Sequence, residues 1–498
     1  MWWSRCDRLN RVSSALGFAA LLCALVASTG CTGALSSSSS QPNRDPLGLG
    51  VQPGPLGSPT PQKIQVRLGS EPSDRIVSLF LTIPSIQATN SGAQNLELLT
   101  DPILVELTHS AISDEPVFMG QIYQDTYSAL IVPSMSGQVV FYDVNGLLVT
   151  QSVSVPTQTL PYSFVLGADP MVLNIDLDIL QSFPITDPGT VTVSDPVVMT
   201  ADDSVPDPST GQPETGSVIF LVGTVTNVDP DLKIISILPS SGDPLDISYD
   251  DAGGTQFVDC YPAMLADMTI ETEGVTQPNG VVAATRVALI DNSEGSELYG
   301  LLGGYAPDFN NYSLIAEGGV GFNVSTDLIG KNITVDWSAA SYSVNTAHLG
   351  LDLVNNDLVF DETHAFPGQF VELEFDTLLV PDPDSANAGF MQPRMFQLEE
   401  QTISGQVSNY LYDSGTQTGT FTLTVANDSA IKRMNGGLVS ITVRQVPRTY
   451  LRNSPSFADG DLVKVRGLLF ATSDSSNVNY QPPASPVAFI VVADRISK

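Results

Sequence analysis

Short runs of alternating apolar and polar residues occupy most of this chain, and turn residues separate them. Ile64, Val66 and Leu68 would lie on one face of an extended backbone, because side chains of a strand alternate between its two faces. Asn145-Gly146 separates two such runs and is a strong hairpin signal. No long segment combines a 3.6-residue apolar period with helix caps. The pattern therefore predicts an all-β chain.

Residues 63–185 are predicted to form an antiparallel β-sandwich of seven or eight strands. Further apolar or alternating runs lie at 76–83, 103–107, 129–132, 139–142 and 149–155. The composition then changes, because residues 186–216 are rich in Asp, Pro, Ser, Thr and Gly. Such a segment is typical of a linker or of an extended crossing segment, and we assign it as a linker.

The strand pattern of this first region resembles an uncharacterised domain family that is common in bacterial lipoproteins. The matching segments are 76–81, 83–86, 105–107, 127–132 and 173–178. The resemblance implies a β-sandwich without an assigned activity.

A degenerate repeat follows the linker and predicts three small antiparallel β-barrels, at 217–292, 296–399 and 400–498. Each copy opens with a strand of the Gly-x-Val type, and a later strand begins or ends at glycine, as at 460–467. Glycines within strands permit the strong bending of a small closed barrel. The middle copy is the weakest, because it lacks the glycine after its late strand.

These copies resemble a second uncharacterised family of exported bacterial proteins, which is built from tandem OB-like barrels. The best matching segments are 223–229, 268–274, 403–407 and 460–467. Barrels of the OB type often bind oligosaccharides or single-stranded nucleic acid on one face. We take the barrel shape from this resemblance and leave nucleic-acid binding aside, because of the charge of the chain.

Residues 1–30 have the layout of a bacterial lipoprotein signal peptide. Three arginines precede an apolar core at 12–27, and small residues stand directly before Cys31. The core is shorter than the 20 or so apolar residues that span a membrane. We therefore predict cleavage before Cys31 and attachment of lipid to its thiol, which makes the membrane a partner.

Residues 31–62 are predicted to be a flexible Ser-, Pro- and Gly-rich tether between the lipid and the folded part. Thr32 stands where an aspartate would retain a lipoprotein at the inner membrane, so the resemblance to Gram-negative sorting implies the outer membrane. The predicted location is thus the cell envelope, facing either the periplasm or the surface.

The chain has 54 Asp and Glu against 20 Lys and Arg, a net charge of −34 at pH 7. Phosphate binding needs clustered Lys and Arg, so we predict that nucleic acid is not a partner. Solubility is the simpler explanation of the acidity. Calcium binding at loop pairs such as Asp229 with Asp231 or Asp382 with Asp384 is the alternative. We predict no metal site and no cofactor.

The catalytic inventory is small. His109, His348 and His364 lie far apart in the sequence, so no zinc motif is indicated. Neither a Gly-x-Ser-x-Gly elbow, nor a P-loop, nor a dinucleotide-binding glycine pattern occurs. We therefore predict no catalytic residues.

One motif needs separate consideration. The tetrapeptide 413–416, Asp-Ser-Gly-Thr, looks like the active-site motif of aspartic proteases. That chemistry needs a second carboxylate, which only a homodimer could supply here, since the tetrapeptide occurs once. Asp, Ser and Gly are also the usual residues of a hairpin turn, and we favour the turn.

Three other residues leave alternatives open. Trp337 and Tyr342 could form a platform for a carbohydrate, although aromatic residues at alternating strand positions more often pack a core. Cys260 is the one cysteine after Cys31, so no intrachain disulfide is predicted. Its thiol is either buried or reactive, and its apolar neighbours favour burial.

The sequence predicts a non-enzymatic, lipid-anchored envelope protein with a structural, adhesive or display role. One alternative is a carbohydrate- or small-ligand-binding module of an envelope complex, with a glycan or an envelope protein as partner. The other alternative is a hydrolase with an unrecognised site.

Overall fold

The computed structural model is nearly all-β, which confirms the predicted fold class. It describes residues 60–71, 73–99, 102–108, 115–186, 189–203, 217–239, 244–250, 252–258, 260–290, 296–306, 311–320, 328, 330–344, 346, 358–376, 378–379, 389–434, 440–452, 456–472 and 488–498. These residues belong to one compact unit. None of the helices in these ranges is long and apolar enough to cross a membrane. The predicted signal peptide at 1–30 and nearly all of the predicted tether lie outside them.

Strands and one short helix make up the N-terminal region. They are β1 (Pro61–Glu71), β2 (Ile76–Ile83), β3 (Ile86–Asn90), β4 (Asn95–Leu99), β5 (Ile103–Glu106), β6 (Glu115–Tyr123), β7 (Thr126–Val132), β8 (Met135–Tyr142), β9 (Leu148–Val155), β10 (Gln158–Leu160), β11 (Phe164–Val165), β12 (Met171–Asp178), α1 (Ile179–Ser182), β13 (Ile185–Thr186), β14 (Thr190–Val191) and β15 (Met199–Asp202).

Three main sheets form from these strands, in the orders β15-β12-β1-β6, β5-β2-β8-β9 and β10-β7-β3-β4, with β11 beside β7. The strands are more numerous than the seven or eight that the sequence predicted. β1 also pairs with β12 in parallel, whereas an antiparallel sandwich was expected. The parallel pairing is possible because a long stretch of chain connects the two strands, as parallel neighbours require.

Both faces of β1 are covered, because residues 64–70 are all buried, including the polar Gln65 and Arg67. Arg67 Nη2 donates a hydrogen bond to Asn174 Oδ1 on β12. Asn174 Nδ2 in turn donates to Asp202 Oδ1 on β15, at 2.8 Å. A buried guanidinium needs acceptors of this kind. These three side chains therefore link β1, β12 and the edge strand β15.

The described part of the predicted linker at 186–216 is packed against the N-terminal region. β15 pairs with β12, and Val191 and Val197 are buried. The Gln151 side chain bonds both the N–H and the carbonyl of Val191, at 2.9 and 2.6 Å. A composition rich in Asp, Pro and Thr indicates an extended backbone but does not distinguish a linker from an edge strand. Residues 204–216 lie outside the described ranges.

Three groups of strands follow. The first contains β16 (Ser217–Asp229), β17 (Ile234–Leu238), β18 (Leu245–Ser248), β19 (Gln256–Val258), a 3₁₀ turn (Pro262–Met264), β20 (Thr269–Thr276) and β21 (Val282–Ile290). The second contains β22 (Ser296–Ala306), β23 (Asn311–Val320), β24 (Asn332–Asp336), β25 (Ser341–Val344), β26 (Phe370–Phe375), β27 (Leu378–Leu379), β28 (Gly389–Met391) and β29 (Met395–Leu398). The third contains β30 (Glu400–Asp413), β31 (Thr418–Val425), α2 (Ala430–Met434), β32 (Ser440–Arg452), β33 (Leu462–Thr472) and β34 (Ala488–Ser497).

Each group has the same strand order. The third is a closed barrel, β30-β31-β32-β34-β33, in which β33 returns to β30. The first runs β16-β17-β18-β21-β20 and returns to β16. The order within each barrel is thus 1-2-3-5-4-1, with strands 3 and 5 parallel, which is the arrangement of the OB fold. These groups are called barrels 1, 2 and 3 below.

Barrel 2 follows the same order with interruptions. Its third strand is divided into β24 and β25 and its fifth strand into β28 and β29, and the two pieces of one strand pair in parallel with the two pieces of the other. β26 joins β29 to β22. The interruptions explain why the middle copy has the weakest repeat pattern, since broken strands lose their regular alternation.

Apolar contacts cross the boundaries between these modules. Leu468, Phe470 and Val492 of barrel 3 belong to the apolar core of barrel 2. Met119 of β6 belongs to the core of barrel 1. A further buried cluster draws on the N-terminal region, barrel 2 and barrel 3, and contains Val77, Val140, Tyr142, Leu301, Ile315 and Ala430. The stabilisation that an apolar contact gives is roughly proportional to the apolar surface that it buries. These contacts therefore hold the modules together.

Close approach of neighbouring strands explains a glycine of the repeat. A Cβ atom placed on Gly300 of β22 would lie 2.0 Å from the carbonyl oxygen of Ile315 on β23. The same strand carries Gly304, where the nearest heavy atom to such a Cβ would be Ser313 Oγ at 4.0 Å. Only the first position therefore requires the absence of a side chain.

We expect Gly300→Ala to destabilise the protein by about 1–3 kcal/mol, because the added methyl must displace the backbone of β23. Gly304→Ala is the matched control and should change the free energy of unfolding by less than about 0.5 kcal/mol. Urea denaturation of both variants tests this. Equal effects of the two substitutions would contradict the packing explanation.

Candidate functional site

An irregularity in the first strand of barrel 3 changes the direction of its side chains. The pairing of β30 with β31 shifts register between Ser408 and Leu411, and Asn409 has a φ of 57°. A bulge of this kind twists a strand and redirects the residues that follow it. Beyond it, Leu411 is 71% exposed and Tyr412 is 48% exposed.

Two tyrosines stack beside this bulge. The rings of Tyr410 and Tyr412 lie 6.3 Å apart with an angle of 24° between their planes. Tyr410 is held from behind, since its ring is 4.5 Å from that of Phe457 and 6.0 Å from that of Phe421. Its hydroxyl donates to Gln445 Oε1 at 3.3 Å. We call Tyr410, Tyr412 and Gln445 the tyrosine shelf.

The shelf can bind a flat ring. Tyrosine offers an aromatic face together with a polar hydroxyl, which suits stacking against a sugar or another ring. Gly419 lies opposite Tyr412 in the pairing of β30 with β31, and a Cβ there would lie 2.9 Å from Gln445 Oε1 and 3.3 Å from Tyr412 Cδ2. The glycine therefore leaves room beside the exposed ring. Burial raises the pKa of the Tyr410 hydroxyl, so it stays a hydrogen-bond donor at neutral pH.

Another face of barrel 3 is rich in hydroxyl groups. Side chains that β31 and β32 turn away from the core form paired positions across the two strands, namely Thr420 with Arg444, Thr422 with Thr442, and Thr424 with Ser440. These residues are exposed or half-buried, whereas Phe421, Leu423 and Val443 between them are buried. The face offers hydrogen-bonding groups and one guanidinium.

A cavity of about 70 Å³ lies where the N-terminal region, barrel 2 and barrel 3 meet. Asp74, Thr108, Glu317 and Glu400 are among its lining residues. Burial raises the pKa of Asp74, and burial together with the charge of Glu106 raises the pKa of Glu317. A space of this size holds a few water molecules and no oligomeric ligand.

Asp413 lies at the end of β30, at a turn that leads into β31. Its Oδ1 accepts a hydrogen bond from the backbone N–H of Gly415 at 2.8 Å, and this bond lowers the pKa of the carboxyl. The side chain is exposed. The tetrapeptide is thus the hairpin turn that the sequence favoured.

The other residues singled out in the sequence fall into three groups. Trp337 and Tyr342 pack against the core of barrel 2, and the Tyr342 ring lies 5.6 Å from that of Phe396. Cys260 is half-buried beside the core of barrel 1, with Sγ 3.5 Å from the Val287 carbonyl oxygen. Outside the described residues lie Cys31, His109, His348, Asp382 and Asp384.

His364 and the acidic loop pair of barrel 1 have local roles. His364 Nδ1 lies 2.6 Å from Asp361 Oδ1 within one turn. Asp229 Oδ1 accepts from the backbone N–H groups of Asp231 and Leu232, each at 3.0 Å. No group of three or more His, Cys, Asp or Glu side chains in the described ranges is placed to hold a metal ion.

The tyrosine shelf was not among the sites predicted from the sequence. Its two tyrosines end a strand-like run that directly precedes the Asp413 turn. Three successive apolar residues, Tyr410, Leu411 and Tyr412, break the alternation just before that turn. In a regular half-buried strand, the middle of three residues would face solvent and would usually be polar. An apolar residue at that position was therefore the available signal.

Comparison with known proteins yields only a remote structural likeness. No family model and no curated protein matches the chain. Among solved structures, the wild-type single-stranded DNA binding protein from Thermus aquaticus matches at 13% identity and a deletion mutant of it at 14%. Each match covers 41% of this chain, and 91% and 92% of those chains respectively, at a TM-score of 0.14.

The prediction that nucleic acid is not a partner is corrected here. The matched structures are themselves single-stranded DNA binding proteins. The net charge that led to the prediction also describes the whole chain and not each barrel, since residues 400–498 contain nine Lys and Arg against seven Asp and Glu. A likeness at this TM-score gives no support for DNA binding by this chain either.

We expect Asp413→Asn to leave the thermal unfolding of the protein unchanged, because the side chain lies in an exposed turn. The amide oxygen of asparagine can accept the same bond from the Gly415 N–H. Thermal unfolding tests the stability. Incubation of both proteins with a peptide library at acid pH tests the protease alternative, and cleavage by the wild type alone would contradict the turn interpretation.

Proposed function

We propose that this chain is a non-enzymatic, lipid-anchored protein of the cell envelope with a structural or display role. The lipoprotein-like layout of residues 1–30 and the cysteine at position 31 support the anchor. The composition of residues 31–62 supports a tether between that anchor and the folded part.

The observation that carries this proposal is the packing of the modules into one unit. The apolar cluster of Val77, Leu301 and Ala430 unites residues that are distant in sequence and belong to three modules. Polar contacts reinforce it, because Arg75 Nε lies 2.9 Å from Asp428 Oδ2 and Arg433 donates to the Tyr142 carbonyl. A unit that is held together in this way suits a protein that presents a surface at a fixed geometry.

Replacement of the lipid-bearing residue tests the anchor. Cys31→Ala should abolish labelling by a radioactive fatty acid and move the protein from the membrane fraction to the soluble fraction. Cys260→Ala is the control and should keep both the label and the membrane location, because Cys260 belongs to barrel 1. Retention of Cys31→Ala in the membrane fraction would show that another segment is the anchor.

A second candidate function is the binding of a carbohydrate or another small ring-containing ligand. The tyrosine shelf favours it, because Tyr412 exposes an aromatic face that is fixed from behind by Tyr410. An exposed ring of this kind is a common contact for sugars and other rings.

We expect Tyr412→Ala to weaken such binding about tenfold or more, since one stacked ring contributes about 1–3 kcal/mol. Leu411→Ala is the control and should bind like the wild type, because successive side chains of a strand point to opposite faces and Leu411 lies between the two tyrosines. A glycan array followed by titration calorimetry measures this, with a single-stranded oligonucleotide as a separate probe. Equal binding by both variants would rule out the shelf as the contact, and binding of the oligonucleotide alone would assign another ligand class.

A further inference from the structure

The contact between barrel 1 and barrel 2 buries many carboxyl groups around one arginine. Arg286 on β21 lies with Nη1 3.1 Å from Glu271 Oε1 and 3.1 Å from Glu273 Oε1, both on β20. Its Nη2 lies 4.0 Å from Glu297 Oε1 on β22 of the neighbouring barrel. Glu372 on β26 also interacts electrostatically with this guanidinium.

The carboxyl groups at this contact outnumber the arginine, and several of them are buried. Glu271 is 1% exposed and Glu372 is 3% exposed, and one oxygen of Glu372 has no hydrogen-bond partner among the residues that the structure describes. Glu399, next to β29, is buried as well and acts on Glu372 through its charge. If all were ionised, one guanidinium would stand against five carboxylates, four that act on it directly and Glu399, which acts on Glu372. We call these six residues the acid joint: Glu271, Glu273, Arg286, Glu297, Glu372 and Glu399.

Both barrels contribute charges to the acid joint, so its net charge acts directly on the contact between them. Barrel 1 supplies Arg286 with two of the carboxyls, and barrel 2 supplies the other three. Like charges that are buried close together repel strongly, because the surrounding protein screens them less than water does. We propose that the acid joint is a pH-sensitive switch, which is closed while the excess carboxyl groups hold protons and opens as they ionise.

The direction of the response follows from the environment of each group. Burial, with the charges of Glu297 and Glu372, raises the pKa of Glu271 well above its ordinary value. Burial, with the charges of Glu297 and Glu399, does the same for the pKa of Glu372. A carboxyl whose pKa is higher in the folded state stabilises that state at low pH, and the contribution disappears as the pH rises through the raised pKa. The contact should therefore weaken towards alkaline pH.

The arginine sets the residual charge. Burial alone would lower the pKa of Arg286, but the surrounding carboxylates outweigh burial and raise it, so the guanidinium remains charged throughout. Its single positive charge compensates one ionised carboxyl group. The raised pKa values of Glu271 and Glu372 therefore keep the net negative charge of the joint small while these two groups hold protons.

The test compares the pH dependence of the melting temperature of the full chain for the wild type, Glu372→Gln and an exposed control, Glu97→Gln. Between pH 5 and pH 9 we expect the wild-type Tm to fall by at least about 2–4 °C, which corresponds to the loss of one ordinary stabilising interaction. Glu372→Gln should flatten this slope, because the amide resembles the protonated acid. Glu97→Gln should follow the wild type.

Sedimentation velocity across the same pH range measures opening directly. The wild type should sediment more slowly above the transition, and Glu372→Gln should not. If Glu372→Gln does not fold, Glu271→Gln serves the same purpose. Identical pH profiles of wild type and Glu→Gln variants, or a sedimentation coefficient that does not change with pH, would overturn the proposal. Recovery of the closed form at pH 9 by calcium alone would also overturn it, in favour of a metal.

Discussion

Buried carboxyl groups between modules are the constraint on which the rest of this structure depends. An ionised carboxylate loses several kcal/mol when it leaves water, so each one must be paired or must carry a proton. At the contact of the N-terminal region with barrel 2, the Thr108 hydroxyl donates to Glu106 and lies 3.4 Å from Glu317 Oε2. In barrel 3, Arg466 Nη2 lies 2.5 Å from Glu400 Oε2. The acid joint is a further group of this kind, and barrel 2 thus has buried acidic groups at its contacts with the N-terminal region and with barrel 1.

This constraint changes the meaning of the net charge of −34. Many of the Asp and Glu side chains in the described ranges are exposed, but some of them lie where modules meet and act on the contact between those modules. The apolar cluster that includes Val77 and Ile315 holds the N-terminal region, barrel 2 and barrel 3 together at every pH. The acid joint, in contrast, weakens the contact between barrel 1 and barrel 2 as its carboxyl groups ionise. The tyrosine shelf depends neither on that apolar cluster nor on the buried acids, because Tyr410 is held by Phe421 and Phe457 within barrel 3 itself. Ligand contact and module contact can therefore vary independently.

Repetition of one barrel type also explains how different surfaces arise on the same topology. All three barrels keep the order 1-2-3-5-4-1, and strands approach closely at Gly300 and at Gly467, where a Cβ would lie 1.9 Å from the Val492 carbonyl oxygen. Around this common frame the charges differ. Barrel 1 and barrel 2 share the acid joint, while residues 400–498 carry a small excess of basic residues. A charge summed over the whole chain hides this difference, so it does not decide the partners of a single barrel.

The sequence by itself determined the features that depend on near neighbours. Alternation along a strand established the all-β class, and the Asp413 turn followed from residue types within four positions, because strands and turns form from local backbone preferences. Only the tertiary structure decided the rest. The acid joint unites residues from 271 to 399 on four strands and an adjoining residue, and the pairing of β15 depends on an edge left open by β12. The tyrosine shelf required a bulge at Asn409. Burial and pairing between distant segments leave no periodic pattern in a sequence. Whether a given side chain is buried or paired depends on segments that lie far away along the chain.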